Sequence, residues 1–216
     1  MNFKFIVSIS ALLASQVAIA TDWPRFLGPN GNGIVKNDPQ LRLDWKTNPP
    51  KTEWTHQAGK GCSSFAISNG KVLTLGNQDG QDTLWCLDTL NGDLIWKHSY
   101  DESLASKYYT GGPSSTPTID GKHVYSVSKS GKLFCLDLDS GNVLWQKDYV
   151  KDFNGRKGGW GWAASPVVSD DLLFIDPGAK DGALVALDKK TGDLKWKAGN
   201  DEPGYATPIL YEHEGR

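Results

Sequence analysis

Apolar residues in this chain come in short runs separated by polar, Gly-containing loops, and one such arrangement occurs three times. Leu87-Asp88-Thr89-Leu90-Asn91-Gly92-Asp93-Leu94-Ile95-Trp96 is an apolar run, a polar loop ending in Gly, and a second run ending in Trp. The same order returns over residues 136–145 and 187–196, with identical Asp-to-Gly and Gly-to-Trp spacings and with Trp96, Trp145 and Trp196 separated by 49 and 51 residues. Each copy reads as a β-hairpin. Its loop fits a type I turn followed by a left-handed residue, which Gly92, Gly141 and Gly192 supply without steric cost. Ahead of each hairpin stand two more short runs: 63–67 and 72–75, joined at Asn69-Gly70; 114–119 and 124–127, joined at Asp120-Gly121; and 164–168 and 172–175, joined at 169–171. Four-stranded units at a period near fifty predict an all-β fold, a β-propeller of four-stranded antiparallel blades. Pro117, Pro166 and Pro208 recur near the first strand of a unit, where Pro is tolerated.

About three full blades are present, with partial ones on both sides. Glu53-Trp54-Thr55-His56 resembles the Trp end of a unit, and 206–210 opens a fourth. Two arrangements stay open. The Trp54 strand completes the blade opened at Ala206 in a four-bladed ring, or the sequence is the N-terminal part of a longer propeller. An end inside a hairpin turn favours the second. The expected organisation is a leader over 1–20, a lead-in over 21–53 and repeats over 54–216. The lead-in is rich in Gly and Pro; Trp23 and Phe26 are expected to dock on the body, and 43–45 is a candidate short strand.

The repeated side chains read as structural. Asp88, Asp137 and Asp188 open their loops, where a short carboxylate accepts from backbone N–H groups ahead of it. A catalytic carboxylate has no reason to recur in every unit. Trp96, Trp145 and Trp196 are packing residues that fix how one unit docks on the next. Cys86 and Cys135 occupy a position filled by Ala186 in the third copy, so the site is small and buried. Equivalent positions in adjacent units stand too far apart for a disulfide, and Cys62, Cys86 and Cys135 are expected to be free thiols.

Charge and composition narrow the partners. With 23 Lys+Arg against 25 Asp+Glu, nothing supports nucleic acid as the main partner. Lys4, the apolar stretch over 5–19 and Ala18-Ile19-Ala20 before Thr21 have the form of a secretory signal peptide. That stretch is short for a membrane span and no other long apolar run follows. The expected location is the periplasm or the exterior. No zinc or haem pattern occurs, and His56, His98, His123 and His213 fall at unrelated repeat positions, so no metal site is proposed.

The pattern of two strands followed by Leu-Asp-x-x-Thr-Gly-x-x-x-Trp resembles the pyrroloquinoline quinone (PQQ) repeat of quinoprotein propellers, over residues 54–216. The opening Asp22-Trp23-Pro24-Arg25-Phe26-Leu27-Gly28-Pro29-Asn30-Gly31 is similar to that of exported bacterial PQQ-like proteins of the alcohol dehydrogenase-like type. The resemblance implies eight blades and a girdle of docked indoles at Trp96, Trp145 and Trp196. It raises PQQ and Ca²⁺ as cofactors, but no Cys-Cys pair occurs and no Ca²⁺-binding carboxylate motif can be matched in this stretch. The propeller lipoprotein of the outer-membrane β-barrel assembly machinery is similar too, and uses the fold for protein contacts; no lipid-attachment Cys follows the leader here.

In a propeller the blade-to-blade connectors share a face with the middle hairpin loops, and loops on a rigid scaffold carry function. Here these are 58–62, 100–113, 151–162 and 200–205, with 77–82, 129–131 and 176–181. The most unusual is Asp152-Phe153-Asn154-Gly155-Arg156-Lys157-Gly158-Gly159-Trp160-Gly161-Trp162. Arg156, Lys157, Trp160 and Trp162, with Tyr205, are the candidates for binding a cofactor, since planar rings beside cations suit an aromatic or anionic ligand. The competing role for Trp160 and Trp162 is to plug the gap between blades. Tyr108 and Tyr109 are weaker candidates. The reading is an exported propeller that binds a protein or small-molecule partner at this face. The alternative is a PQQ- and Ca²⁺-dependent alcohol dehydrogenase, whose cofactor would carry the chemistry. Whether the chain is an enzyme stays open on the sequence.

Overall fold

The computed structural model describes residues 22–35, 43–105 and 110–211. The leader expected over 1–20, and Tyr108, Tyr109 and His213, lie outside the described residues. Three four-stranded antiparallel sheets follow one another in sequence order. The first contains β1 (Ala66–Ser68), β2 (Lys71–Gln78), β3 (Gln81–Asp88) and β4 (Leu94–Asp101); the second contains β5 (Thr118–Asp120), β6 (His123–Val127), β7 (Lys132–Asp137) and β8 (Val143–Asp148). After a short helix, α1 (Tyr149–Phe153), the third contains β9 (Val167–Ser169), β10 (Leu172–Ile175), β11 (Leu184–Asp188) and β12 (Leu194–Ala198). These are the blades expected from the repeat, with β1, β5 and β9 as the first strands of their sheets and β5 in contact with both β1 and β9.

The near-continuous apolar runs of the second blade have a direct cause. Successive strand residues point to opposite faces, and both faces of this blade are covered. Val124, Phe134 and Leu136 pack with Leu73, Leu75, Leu84 and Trp96 of the first blade. Tyr125, Val127, Leu133 and Cys135 pack with Leu173, Ile175, Val185 and Leu187 of the third. The core is therefore two seams between blades.

Trp54, Trp96 and Trp145 each cross to the blade that follows. The Trp96 indole N–H donates to Leu138 O (2.8 Å), that of Trp145 to Lys189 O (3.2 Å), and that of Trp54 to Thr89 O (3.0 Å). Trp54 therefore docks on the first blade as Trp96 and Trp145 dock on the blades after theirs, although 53–56 form no strand. A bulge lies between Cys86 and Leu87 and at the equivalent place in the other two blades; it sets Cys86, Cys135 and Ala186 directly opposite Trp96, Trp145 and Trp196. A small residue is what that position accommodates. Asp88, Asp137 and Asp188 accept from the two backbone N–H groups that follow in their loops. All three cysteines are free.

Several details differ from the sequence reading; the strands expected at 53–56 and 206–210 do not form among the described residues. Residues 43–45 form no strand: Asp44 O accepts from the N–H groups of Thr47 and Asn48, a turn that precedes Pro49-Pro50. Helix α1 was not anticipated. Asp148 caps it by accepting from Val150 N and Lys151 N, and Asn154 ends it in the left-handed region. Five residues are too few for a periodic signal. Trp196 is 40 % exposed, against 8 % for Trp96, because no described turn covers it.

Candidate functional site

One face gathers the blade-to-blade connectors and the middle hairpin loops, and backbone hydrogen bonds tie the two sets together at several points. Glu102 N donates to Gly80 O; Tyr149 N donates to Gly131 O; Trp162 N donates to Lys129 O; and Arg156 N donates to Pro177 O. The middle loop of the first blade is shorter than expected. Strands β2 and β3 run to Gln78 and Gln81, leaving only Asp79-Gly80 to turn.

The loop over 152–162 is held rather than free. Arg156 reaches across the third blade: its Nε donates to Gly178 O (2.6 Å), and its Nη2 donates to Asn200 O (2.8 Å) and Asp201 O (2.6 Å). The guanidinium thus clamps the next connector to the middle loop. Trp162 is 1 % exposed; its N–H donates to Pro177 O (3.3 Å) and its ring meets Tyr149 edge-on at 5.4 Å. It fills the space between blades, the competing role considered for it. Gly161 permits the approach, with φ +82° and Lys129 O only 2.4 Å from where a Cβ would stand.

Trp160 and Tyr205 lie outward. They are 50 % and 46 % exposed and stack on each other at 5.5 Å with 30° between the planes. Lys157 is exposed, one residue before Gly158, which lies against the Tyr205 hydroxyl. The structure therefore brings all five candidates to one face but divides them. Arg156 and Trp162 brace the loop, whereas Trp160, Tyr205 and Lys157 present it.

A second constellation at the seam of the first two blades was not singled out from sequence. Asn77 Nδ2 donates to Asp82 Oδ1 and to Glu102 O, both at 2.7 Å. Ser130 Oγ donates to Glu102 Oε2 (2.5 Å), and Lys132 stands 3.7 Å from the same oxygen. Asn77, Asp82, Glu102 and Lys129 are all buried. Burial pushes the Asp82 carboxyl up to about 6, against a hydrogen bond from Asn77 that lowers it. Burial lowers the Lys129 ammonium, while Asp82 and Glu102 act to raise it. The sequence signal is slight, because Asn77 and Asp82 stand at the strand ends beside the Asp79-Gly80 turn and share its polar character.

These residues do not fit a PQQ site. Arg156 Nε and Nη2 donate to carbonyls and Nη1 faces Glu202, the Trp162 ring is enclosed, and Cys86 and Cys135 sit buried in separate blades. Among the described residues no group of three or more His, Cys, Asp or Glu is placed to hold a metal ion. No helix among them is long and apolar enough to cross a membrane.

Comparison with known proteins agrees with the blade architecture. The family model described as outer membrane protein assembly factor BamB matches residues 81–212. The chain belongs to this PQQ-like propeller repeat family. Among solved structures, quinohemoprotein alcohol dehydrogenase from Comamonas testosteroni is similar with a TM-score of 0.62 at 19 % identity, over 82 % of this chain and 27 % of that one. A europium-containing methanol dehydrogenase gives 0.51 at 15 % identity, over 68 % and 27 %. BamB from Moraxella catarrhalis is 27 % identical over 64 % of this chain and 35 % of its own, with a TM-score of 0.41. The chain thus spans about a third or less of the length of these structures. No curated protein matches it significantly. At these identities the two dehydrogenases share the fold alone.

Proposed function

We propose that this protein is an exported PQQ-like propeller that serves as a binding scaffold and takes a protein partner on its loop face. The observation that carries the reading is the Trp160–Tyr205 stack: two half-exposed aromatic rings on neighbouring connectors that Arg156 and Trp162 hold in place, with Lys157 exposed in the same loop as Trp160. Exposed aromatics on a rigid base make good contact residues, because little side-chain freedom is lost on binding. In this reading Trp160, Tyr205 and Lys157 touch the partner, and Arg156 and Trp162 position them. The leader pattern over 1–20 supports export to the periplasm or beyond. The family model carries the name of an assembly factor, which accords with a role in protein contacts.

The test is site-specific photo-crosslinking in the cell that makes the protein. A crosslinker at position 160 is expected to trap one defined protein, and a crosslinker at Lys122, in the turn at the other end of the second blade, is not. The Tyr205→Ala exchange should weaken the adduct. Adding PQQ and Ca²⁺ to the purified protein is the counter-test. Quinone absorbance with dye reduction by an alcohol, and no adduct at position 160, would replace the scaffold by the enzyme.

A further inference from the structure

The segment Asp22-Trp23-Pro24-Arg25 has no part in the loop face, yet it touches each of the three described blades. Trp23 pairs with β1 in both directions: its N–H donates to Ile67 O and Ile67 N donates to its carbonyl, each at 2.8 Å. Pro24 O accepts from Ile119 N of β5 at 2.7 Å. Arg25 Nη1 reaches Val168 O of β9 at 3.4 Å. Ile67, Ile119 and Val168 are equivalent positions, paired respectively with Val72, Val124 and Leu173 in the second strand of each blade. Three consecutive residues therefore take the same register position in three consecutive blades.

We infer that residues 22–25 form an axial strap that sets the spacing of the three innermost strands, one residue to a blade. Several features hold it. Ser68 Oγ donates to Asp22 Oδ2 at 2.7 Å, anchoring the start. Arg25 also donates through Nε to Gly28 O and through Nη2 to Pro29 O, so its guanidinium folds the following turn back beneath the strap. Gly28, at φ +76°, lies so close to the Trp23 ring that a Cβ there would stand 2.6 Å from it. Pro24 suits its place, since it has no N–H to satisfy and its carbonyl alone is needed.

The physical need is clear. An innermost strand pairs on one side only, and its other edge presents unpaired N–H and C=O groups toward the axis. Ile67 N–H and Ile119 N–H point away from β2 and β6. The strap satisfies both, and it also removes an edge on which a foreign strand could add. It crosses near the β1–β2, β5–β6 and β9–β10 turns, at the end of the blades opposite the connectors. The loop face stays open while the other end is tied.

Native-state hydrogen exchange tests this in the full chain. In the wild-type protein the Ile67 and Ile119 amides should be protected. One glycine inserted between Trp23 and Pro24 leaves Trp23 on Ile67 but moves Pro24 off Ile119. Ile119 exchange should then rise by about tenfold or more, with Ile67 nearly unchanged. Equal protection of Ile119 in both proteins, or equal loss at both amides, overturns the inference. Should the insertion prevent folding, the wild-type measurement still decides: free exchange at either amide in the native protein removes the strap, and protection at both sustains it.

Discussion

The six-membered ring of Trp96 lies against Gly141 of the next blade so closely that a Cβ on Gly141 would stand 2.6 Å from the ring. The relation repeats between Trp54 and Gly92 and between Trp145 and Gly192, at 2.6 and 2.9 Å. Gly is therefore required twice at these turns, for positive φ and for the indole. Gly141→Ala should cost about 2–4 kcal/mol, from left-handed strain together with overpacking. Gly121→Ala is the control. Its φ is +57° and nothing stands within 4 Å of the added carbon, so it should cost about 1 kcal/mol. Urea unfolding of the two variants measures the difference.

Removal of the indoles should follow their cover. Trp96→Ala is expected to cost about 3–5 kcal/mol, as for a large core ring. Trp196→Ala should cost about 1–2 kcal/mol, since only part of its apolar area is withdrawn from water. Equal losses in denaturant titrations would mean that the docked turn adds nothing.

Asp82 makes stability depend on pH with a defined sign. Its carboxyl titrates at about 6 in the folded protein against an ordinary value of 3.8. Between these values the folded state holds a proton that the unfolded state has lost. This residue's contribution therefore falls as pH rises from about 3.8 to about 6 and is level above that. Burial lowers the His98 imidazole below its usual 6.5, which acts in the opposite sense as pH falls. Asp82→Asn isolates the first effect, because the amide oxygen can still accept from Asn77. The variant should gain melting temperature over wild type at pH 7.5 and lose that advantage by pH 4.

Thiol reactivity should divide sharply. Burial pushes the Cys86 and Cys135 thiols up to about 12, whereas Cys62 is exposed. A disulfide reagent at pH 8 should modify one thiol of the native protein quickly and three after denaturation. Rapid loss of a second native thiol would show that a blade seam opens.

The division of the candidate loop shows where reading the chain stops. Its Gly, Trp and Arg content marks 152–162 as unusual, but nothing local says that Arg156 is spent on Gly178, Asn200 and Asp201 while Trp160 faces outward. Those partners lie 22 to 45 residues away in sequence. Asn77 and Asp82 escaped notice for a related reason. Their polar character matches the turn beside them, and only the approach of Glu102 and the second blade makes it costly.

The chain alone determined the blades, their four strands and the hairpin chemistry, because these rest on local turn geometry and on alternation, which repeat with the period. It also marked Trp54 as an indole of the repeated kind and the thiols as unpaired. The tertiary structure decided which indole meets which glycine, which side chains brace the loop face, and that 22–25 crosses three inner strands. Each of those depends on contacts between residues far apart in sequence, and spacing along a chain carries no record of which distant backbone carbonyl a donor will meet.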